Sequence, residues 1–301
     1  MLSVKPLEKG GRLGGASVTL KERWYETLEI ASSFARRRKV PMYAFALATS
    51  HGRYPVPTKA HLRLQMYSNL AYGAQLLQYF RYRAVAPWAK RSALFELIRE
   101  MNQEIQARAD VFLGAEVWGV WHTGAQIPIG TRQLNPKALP AFVKSFSTPK
   151  HSTVLVSWLK NGGRDYIVVV NRDPNYEMSF MAKFAPGSEF VRRDGTRVRA
   201  DAYEDLFWLE PGDAAVFAAP EEQGTHFVPP KGTSNVDVAT VARPGAFRLK
   251  ENVLSHGVPD LFIVEAVVND DQNGHFTQEH SIRGMEGTVR HVLARNPYPL
   301  L

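Results

Sequence analysis

The 301-residue chain has 45% hydrophobic and 22% charged residues, a composition typical of a globular protein, which excludes an intrinsically disordered one. It contains no cysteine, which excludes disulfides, cysteine metal ligands and cysteine nucleophiles. No apolar run approaches the about 18 residues of a membrane span, and the N-terminal segment lacks the apolar core of a signal peptide. We therefore expect neither a membrane partner nor a leader.

The first part of the chain predicts helices and strands in alternation. Residues 1–18 are glycine-rich and are expected to be flexible, and residues 19–115 follow as an α/β region in the order α-β-α-β-α. A capping box at Thr19 and Glu22 predicts that the first helix begins there, and apolar residues at helical spacing carry it to about Arg38. Short connections between such elements are typical of parallel α/β folds.

Two apolar runs in this region, residues 42–48 and 76–82, are predicted as buried strands of a parallel sheet. The helix between them is predicted to begin after an N-cap at Thr58 and to end at Gly73. Ser92 is predicted to cap the third helix.

Residues 116–220 change to short strand-like segments separated by turn residues. Asn161-Gly162-Gly163, Arg193-Asp194-Gly195 and Pro211-Gly212-Asp213 supply the backbone conformations that tight turns need. This pattern predicts an antiparallel β-sandwich domain. Residues 221–301 are poorly specified, with a further strand expected within DLFIVEAVVND.

The run HLRLQMYSNLAYGAQLLQYFRYR, residues 61–83, resembles the seventh helix and eighth strand of β-galactosidase-like glycoside hydrolases of clan A, nearest to family 42. The resemblance extends over roughly residues 20–115. It implies that the α/β region is a partial (β/α)8-barrel segment, consisting of the last two strands and three helices, followed by the β-sandwich. In such barrels the site forms at the carboxyl ends of the strands.

The resemblance implies that polar and aromatic residues after the two strands line a sugar-binding cleft. Pro55 and Pro57 would reduce the entropy lost when a ligand binds to the first of these loops. The expected partner is an oligo- or polysaccharide. The implied substrate-binding residues are Ser50, His51, Arg53, Tyr54, Arg81, Tyr82 and Trp88.

The chain departs from the resembling enzymes in length. A complete barrel takes about 250 residues, whereas only about 115 precede the β-rich region here. The chain is therefore either the C-terminal part of a longer protein or a smaller, remodelled one. Exposed sheet edges would favour self-association or association with the missing N-terminal barrel portion.

The chain also lacks the expected catalytic acids. Retaining glycosidases use two carboxyl groups about 5 Å apart, but the end of the first strand reads Ala48-Thr49-Ser50-His51. Glu96, Glu100 and Glu104 are interpreted as a solvated helix face. We assign no catalytic residue, expect this chain alone to be inactive, and leave retaining or inverting chemistry open.

Other side chains with possible functions are given structural interpretations. Along the second helix, His61, Gln65 and Asn69 are interpreted as an exposed outer face in preference to the lining of a polar cleft. The β-region tryptophans Trp118, Trp121, Trp158 and Trp208 are interpreted as core rather than as a carbohydrate platform.

No metal or cofactor site is predicted. The run HFTQEH, residues 275–280, matches no zinc-protease spacing, and the preceding residues lack the spacing of a calcium-binding loop. Arg36-Arg37-Arg38-Lys39, the densest basic cluster, is interpreted as a solvated helix end, where cations complement the helix dipole.

Three functional hypotheses remain. The first is the C-terminal portion of a glycoside hydrolase-like protein, for which the resemblance implies a bacterial cytoplasmic or periplasmic location. The second is a non-catalytic carbohydrate-binding or structural protein derived from such an enzyme. The third is a basic module that associates with nucleic acid, and it rests only on the net charge of +8.

Overall fold

The computed structural model describes most of the chain between residues 22 and 221 and four short strands outside it. The described residues are 2–5, 17–20, 22–48, 56–80, 93–200, 205–221, 238–241 and 261–264.

The described residues form four α-helices, one short 3-10 helix and fifteen strands. The helices are α1 (Trp24–Arg38), α2 (Lys59–Ala71), α3 (Ala93–Gln106), α4 (Ala109–Phe112) and the 3-10 helix (Pro136–Ala138). The strands are β1 (Leu2–Lys5), β2 (Ser17–Leu20), β3 (Met42–Leu47), β4 (Ala74–Phe80), β5 (Glu116–His122), β6 (Val143–Ser147), β7 (Val154–Asn161), β8 (Arg164–Asn171), β9 (Met178–Phe184), β10 (Glu189–Val191), β11 (Arg197–Arg199), β12 (Leu206–Leu209), β13 (Ala214–Ala218), β14 (Val238–Val241) and β15 (Leu261–Val264).

Strands β3 and β4 pair in parallel and are joined through α2, which makes a β-α-β unit. Thr58 and His61 form a reciprocal capping box at the start of α2, and Gly73 follows its end with a φ of +87°. These observations confirm the predicted strand–helix–strand order, the N-cap and the glycine stop.

The first helix begins later than predicted. Thr19 lies in β2, and α1 begins at Trp24 after Arg23, whose side chain makes no capping hydrogen bond. The Thr19–Glu22 capping box is therefore wrong, because residues 17–20 pair with β1 as an antiparallel strand instead. The helix ends at Arg38, with Lys39 in the left-handed conformation.

The β-rich region contains two antiparallel sheets. The larger has the strand order β11-β10-β13-β8-β7-β5, and the smaller has the order β12-β9-β6. Aromatic side chains from both sheets meet in a shared core, where Phe180 of β9 lies edge-on to Phe217 of β13 with ring centroids 6.1 Å apart. The expected change from an α/β region to a β-rich one is confirmed.

The three predicted turns are present; two connect paired strands, and the third leads from the smaller sheet to the larger one. Gly162-Gly163 joins β7 to β8 as a two-residue hairpin loop, with φ angles of +56° and +80°. Gly195 lies between β10 and β11, and Gly212 lies between β12 and β13. A Cβ at Gly212 would come within 2.1 Å of the Ala60 carbonyl oxygen, so this turn sits directly on the first turn of α2.

A single apolar cluster joins the α/β region to the larger sheet. It includes Tyr25 of α1, Leu64 of α2, Val168 of β8 and Val216 of β13. Every residue of α2 from His61 to Ala71 is buried, because the helix packs against β3 and β4 on one side and the larger sheet on the other. Polar residues on this helix must therefore find partners inside the protein.

Candidate functional site

The seven predicted substrate-binding residues lie outside the described residues. They fall in the segments 49–55 and 81–92, which directly follow β3 and β4. Their placement stays a prediction, but the strands that lead into both segments are described.

The two strands end side by side. Leu47 pairs with Phe80, and the Ala48 amide donates a hydrogen bond to the Phe80 carbonyl oxygen at 2.6 Å. Because the strands run in the same direction, their carboxyl ends lie side by side at one edge of the sheet. The segments that begin at Thr49 and Arg81 follow these two ends in sequence.

The two faces of the β3–β4 pair have different surroundings. Ala46 and Tyr79 share one face and pack against α2 and α3. Tyr43 and Phe45 lie on the opposite face, and both side chains are exposed. The exposed aromatic side chains of β3 are thus on the face that does not pack against α2 and α3.

Amide side chains of α2 hydrogen-bond to backbone groups of β3 that face away from β4. Gln65 accepts a hydrogen bond from the Leu47 amide at 2.8 Å and donates to the Leu47 carbonyl oxygen at 3.5 Å. Asn69 donates to the Phe45 carbonyl oxygen at 3.2 Å. These groups point away from β4, since in a parallel pair the bonds to one neighbour come from alternate residues. At these two residues the strand edge is thus already occupied.

These contacts correct the interpretation of the second helix. His61, Gln65 and Asn69 are buried, so they form neither an exposed outer face nor an open polar cleft. Gln65 and Asn69 bind the backbone of β3, and His61 Nδ1 accepts from the Thr58 amide at 3.2 Å. Burial lowers the pKa of His61 below its ordinary value.

A polar contact joins β4 to α3 behind the sheet. The Tyr79 hydroxyl donates to Asn102 Oδ1 at 2.6 Å, and burial raises the pKa of this tyrosine. Asn102 Nδ2 has no hydrogen-bond partner. The contact fixes β4 against α3 and so fixes the end of the strand from which residue 81 follows.

Arg63 of α2 lies at the centre of a buried ionic network. Its guanidinium pairs with Glu104 of α3, with 3.2 Å from Nε to Oε2, and with Glu210 after β12, with 2.9 Å from Nη1 to Oε2. Glu210 also accepts from Arg193 at 2.8 Å. Although burial opposes it, Arg193 and Arg63 hold the pKa of Glu210 below its ordinary value.

Glu104 therefore differs from the prediction made for it. Glu96 and Glu100 are exposed, as expected of a solvated helix face, but the Glu104 side chain is only 11% exposed. It binds Arg63 and accepts from the Tyr67 hydroxyl at 3.4 Å. A carboxylate held in this way by a buried guanidinium and a tyrosine hydroxyl has a structural role.

Arg108, between α3 and α4, is buried and connects the network to the larger sheet. It donates to the Tyr67 hydroxyl at 2.9 Å and to the carbonyl oxygens of Val191 and Arg192 at 3.0 Å each. Burial raises the pKa of Tyr67 to about 12, so its hydroxyl stays protonated and can donate to Glu104.

A cleft of about 450 Å³ opens beside this network, and we name it the Trp208 cleft. Side chains from the linker between α3 and α4, the β10–β11 hairpin and strands β12 and β13 line it. They are Arg108, Phe190, Arg192, Arg193, Asp194, Phe207, Trp208, Leu209, Asp213, Ala214 and Ala215.

A second cleft, of about 540 Å³, lies at the opposite end of the parallel pair. Its lining includes Arg36, Lys39, Met42 and Gly73, which surround the amino ends of β3 and β4. In α/β folds ligands bind outside the carboxyl ends of the strands, so this cleft is not the predicted site.

The tryptophan predictions hold only in part. Trp121 is buried, as predicted, but Trp208 is 65% exposed and Trp118 is 53% exposed, so a core role is wrong for these two. Trp158 is half-buried beside Trp118, with ring centroids 5.3 Å apart.

Within the described part of the chain, no group of three or more histidine, aspartate and glutamate side chains is arranged to hold a metal ion. None of the helices described is both long and apolar enough to cross a membrane.

Comparison with protein-family models and with curated proteins gives no match. The chain matches no protein-family model. No curated protein matches it at a significant level either. The resemblance to clan A glycoside hydrolases therefore remains an inference from residues 61–83.

Sequence reasoning missed the Trp208 cleft. Strand β12 alternates exposed Leu206, half-buried Phe207, exposed Trp208 and buried Leu209, but all four residues are apolar, so the sequence has no polar–apolar alternation that marks the exposed side chains. Asp213 was assigned only to a turn. Its pairing with Arg193 joins the β10–β11 hairpin to the turn between β12 and β13, which no local pattern predicts.

Proposed function

We propose that this chain is the C-terminal portion of a carbohydrate-active, glycoside hydrolase-like protein. Its α/β region is a partial (β/α)8-barrel segment, and its β-rich region is an antiparallel β-sandwich. It lines a sugar-binding cleft with Ser50, His51, Arg53, Tyr54, Arg81, Tyr82 and Trp88.

The parallel pairing of β3 and β4 is the observation that carries the proposal. The hydrogen bond from Ala48 to Phe80 brings the ends of the two strands together, as the proposed cleft requires. Two antiparallel sheets with a shared aromatic core support the sandwich.

The exposed face of β3 supports a partner that completes the barrel. Tyr43 and Phe45 offer an aromatic surface on the side away from α2. Gln65 and Asn69 occupy the outer backbone groups of Leu47 and Phe45. The missing barrel portion would therefore cover the aromatic side chains rather than extend the sheet at these residues.

The proposed chain is inactive by itself. A retaining mechanism needs two carboxyl groups about 5 Å apart, and the segment 48–57 contains none. Glu104 is held by Arg63 and Tyr67, which gives it a structural role.

Calorimetric titration of the full chain with lactose and cellobiose tests this proposal. We expect millimolar binding, and we expect the double variant His51→Ala/Tyr54→Ala to weaken it by about tenfold or more, since tenfold corresponds to about 1.4 kcal/mol. We also expect no nitrophenol release from nitrophenyl β-galactoside.

A matched control removes a histidine and a tyrosine elsewhere. His151 and Tyr176 are exposed residues of the β-rich region, and His151→Ala/Tyr176→Ala should bind as the unmodified chain does. Equal binding by the His51/Tyr54 variant and the unmodified chain contradicts the proposed cleft. Turnover of the nitrophenyl substrate by this chain contradicts its assignment as inactive.

A further inference from the structure

The Trp208 cleft lies at the same end of the molecule as the carboxyl ends of β3 and β4. Helix α2 runs antiparallel to β3, since Gln65 bonds to Leu47 and Asn69 bonds to Phe45. Residues before Gln65 therefore lie beyond the end of β3. Arg63 binds Glu210 there, and the turn at Gly212 sits on Ala60.

Several charged side chains of the cleft already have partners. Arg193 pairs with both Asp213 and Glu210, and Asp194 accepts hydrogen bonds from the Thr196 amide and hydroxyl. Arg108 donates to two backbone carbonyl oxygens and a tyrosine hydroxyl. Because Arg193 is already paired with two carboxylates and Arg108 donates to acceptors inside the protein, this arrangement favours a neutral ligand over a strongly anionic one.

One acceptor in the cleft has no donor. Asp213 is buried, and its Oδ2 accepts from Arg193, but its Oδ1 has no hydrogen-bond partner. A buried carboxylate oxygen without a donor is unfavourable. Asp213 lines the cleft, so a turn of its side chain would bring this oxygen to a hydroxyl group of a ligand.

The lip of the cleft is aromatic. Trp208 is 65% exposed and lines the cleft next to Phe207 and Phe190. An exposed aromatic ring beside a cleft can supply an apolar face on which a ligand stacks. An apolar ring face next to a hydroxyl acceptor suits a sugar ring, which presents C–H groups on one face and hydroxyl donors around its rim.

We propose that the Trp208 cleft is a second saccharide-binding site, which takes a neutral oligosaccharide. Trp208 stacks on a sugar ring, Asp213 Oδ1 accepts from a hydroxyl group, and Arg193 donates to a neighbouring oxygen. The observations that carry this site belong to the β-rich region and are independent of His51 and Tyr54.

Titration of the full chain with cellobiose and lactose tests the second site through Trp208→Ala. Because this side chain is exposed, its removal leaves the core intact. In the His51→Ala/Tyr54→Ala background, which removes the strand-end site, we expect Trp208→Ala to weaken the remaining binding by about tenfold, and Trp208→Phe, which keeps an aromatic face, to stay within about threefold of that background. Trp118→Ala removes a similarly exposed tryptophan outside the cleft and should leave binding unchanged.

The outcomes separate the two sites. Loss of the remaining binding when Trp208→Ala is added supports the second site, even if His51→Ala/Tyr54→Ala alone binds as the unmodified chain does and the strand-end site fails. Unchanged binding when Trp208→Ala is added to that background overturns the second site. Absence of binding to either disaccharide at about 10 mM, a concentration that detects millimolar affinity, overturns both.

Discussion

Arg63→Met is expected to lower the free energy of unfolding by about 3–5 kcal/mol. The Arg63 and Glu104 side chains are both largely buried, and removal of the cation leaves the carboxylate without its main counter-charge. Glu210 loses less, because it keeps Arg193 and is more exposed. Urea unfolding followed by circular dichroism measures the change.

Lys59→Met is the matched control for this prediction. Lys59 pairs with Glu100 across the same two helices, α2 and α3, but both side chains are exposed. Its loss should therefore cost less than about 1 kcal/mol. Arg63→Met/Glu104→Leu should be more stable than Arg63→Met, since it buries no unpaired charge. Equal stability of Arg63→Met and Lys59→Met would rule out a structural role for the network.

Acidification from about pH 7.5 to about pH 5 is expected to remove about 2 kcal/mol of stability through His122. His122 is the last residue of β5, and its side chain is fully buried against Tyr25 of α1 and Tyr72 after α2. Its Nε2 lies 2.9 Å from the Tyr72 hydroxyl, and its Nδ1 has no hydrogen-bond partner. Burial, reinforced by the positive charge of Arg172, holds the pKa of His122 well below its ordinary value.

The direction follows from where the proton binds. Below about pH 6.5 the unfolded chain takes up a proton at this histidine that the folded protein does not, so stability is complete above that pH and falls below it. His122→Gln should therefore lose about 2 kcal/mol less than the unmodified chain over the same range. The exposed His151 gives the control variant, His151→Gln. Urea titrations at each pH give the free energy of unfolding. If that free energy fell equally with pH for His122→Gln and for the unmodified chain, the result would contradict this role.

Local patterns predicted the elements of this fold well. The apolar run at 42–48, the cap at Thr58 and the stop at Gly73 each depend on residues close in sequence, and each prediction is confirmed. The turn at Gly162-Gly163 was equally predictable from the sequence, because a two-residue hairpin there needs positive φ angles, which glycine adopts. The Thr19 cap failed because pairing of β2 with β1 competed with the helix start.

The burial of polar helix residues by elements distant in sequence could not be predicted from the sequence. Gln65, Asn69 and Glu104 are polar residues on helices and are exposed in most proteins. They are buried here because α2 packs between β3–β4 and the larger sheet, so their partners are Leu47, Phe45 and Arg63. None of these partners is adjacent in sequence, and no periodicity identifies them.

The distance between spin labels at Ser50→Cys and Tyr82→Cys tests the central claim most directly. The chain contains no native cysteine, so only the introduced positions are labelled. A control pair, Val40→Cys with Tyr82→Cys, spans the about 20 Å length of β3. We predict strong dipolar broadening for the first pair and little for the control. Labels at 50 and 82 that are no closer than the control pair would contradict a common sugar-binding hollow after the two strands.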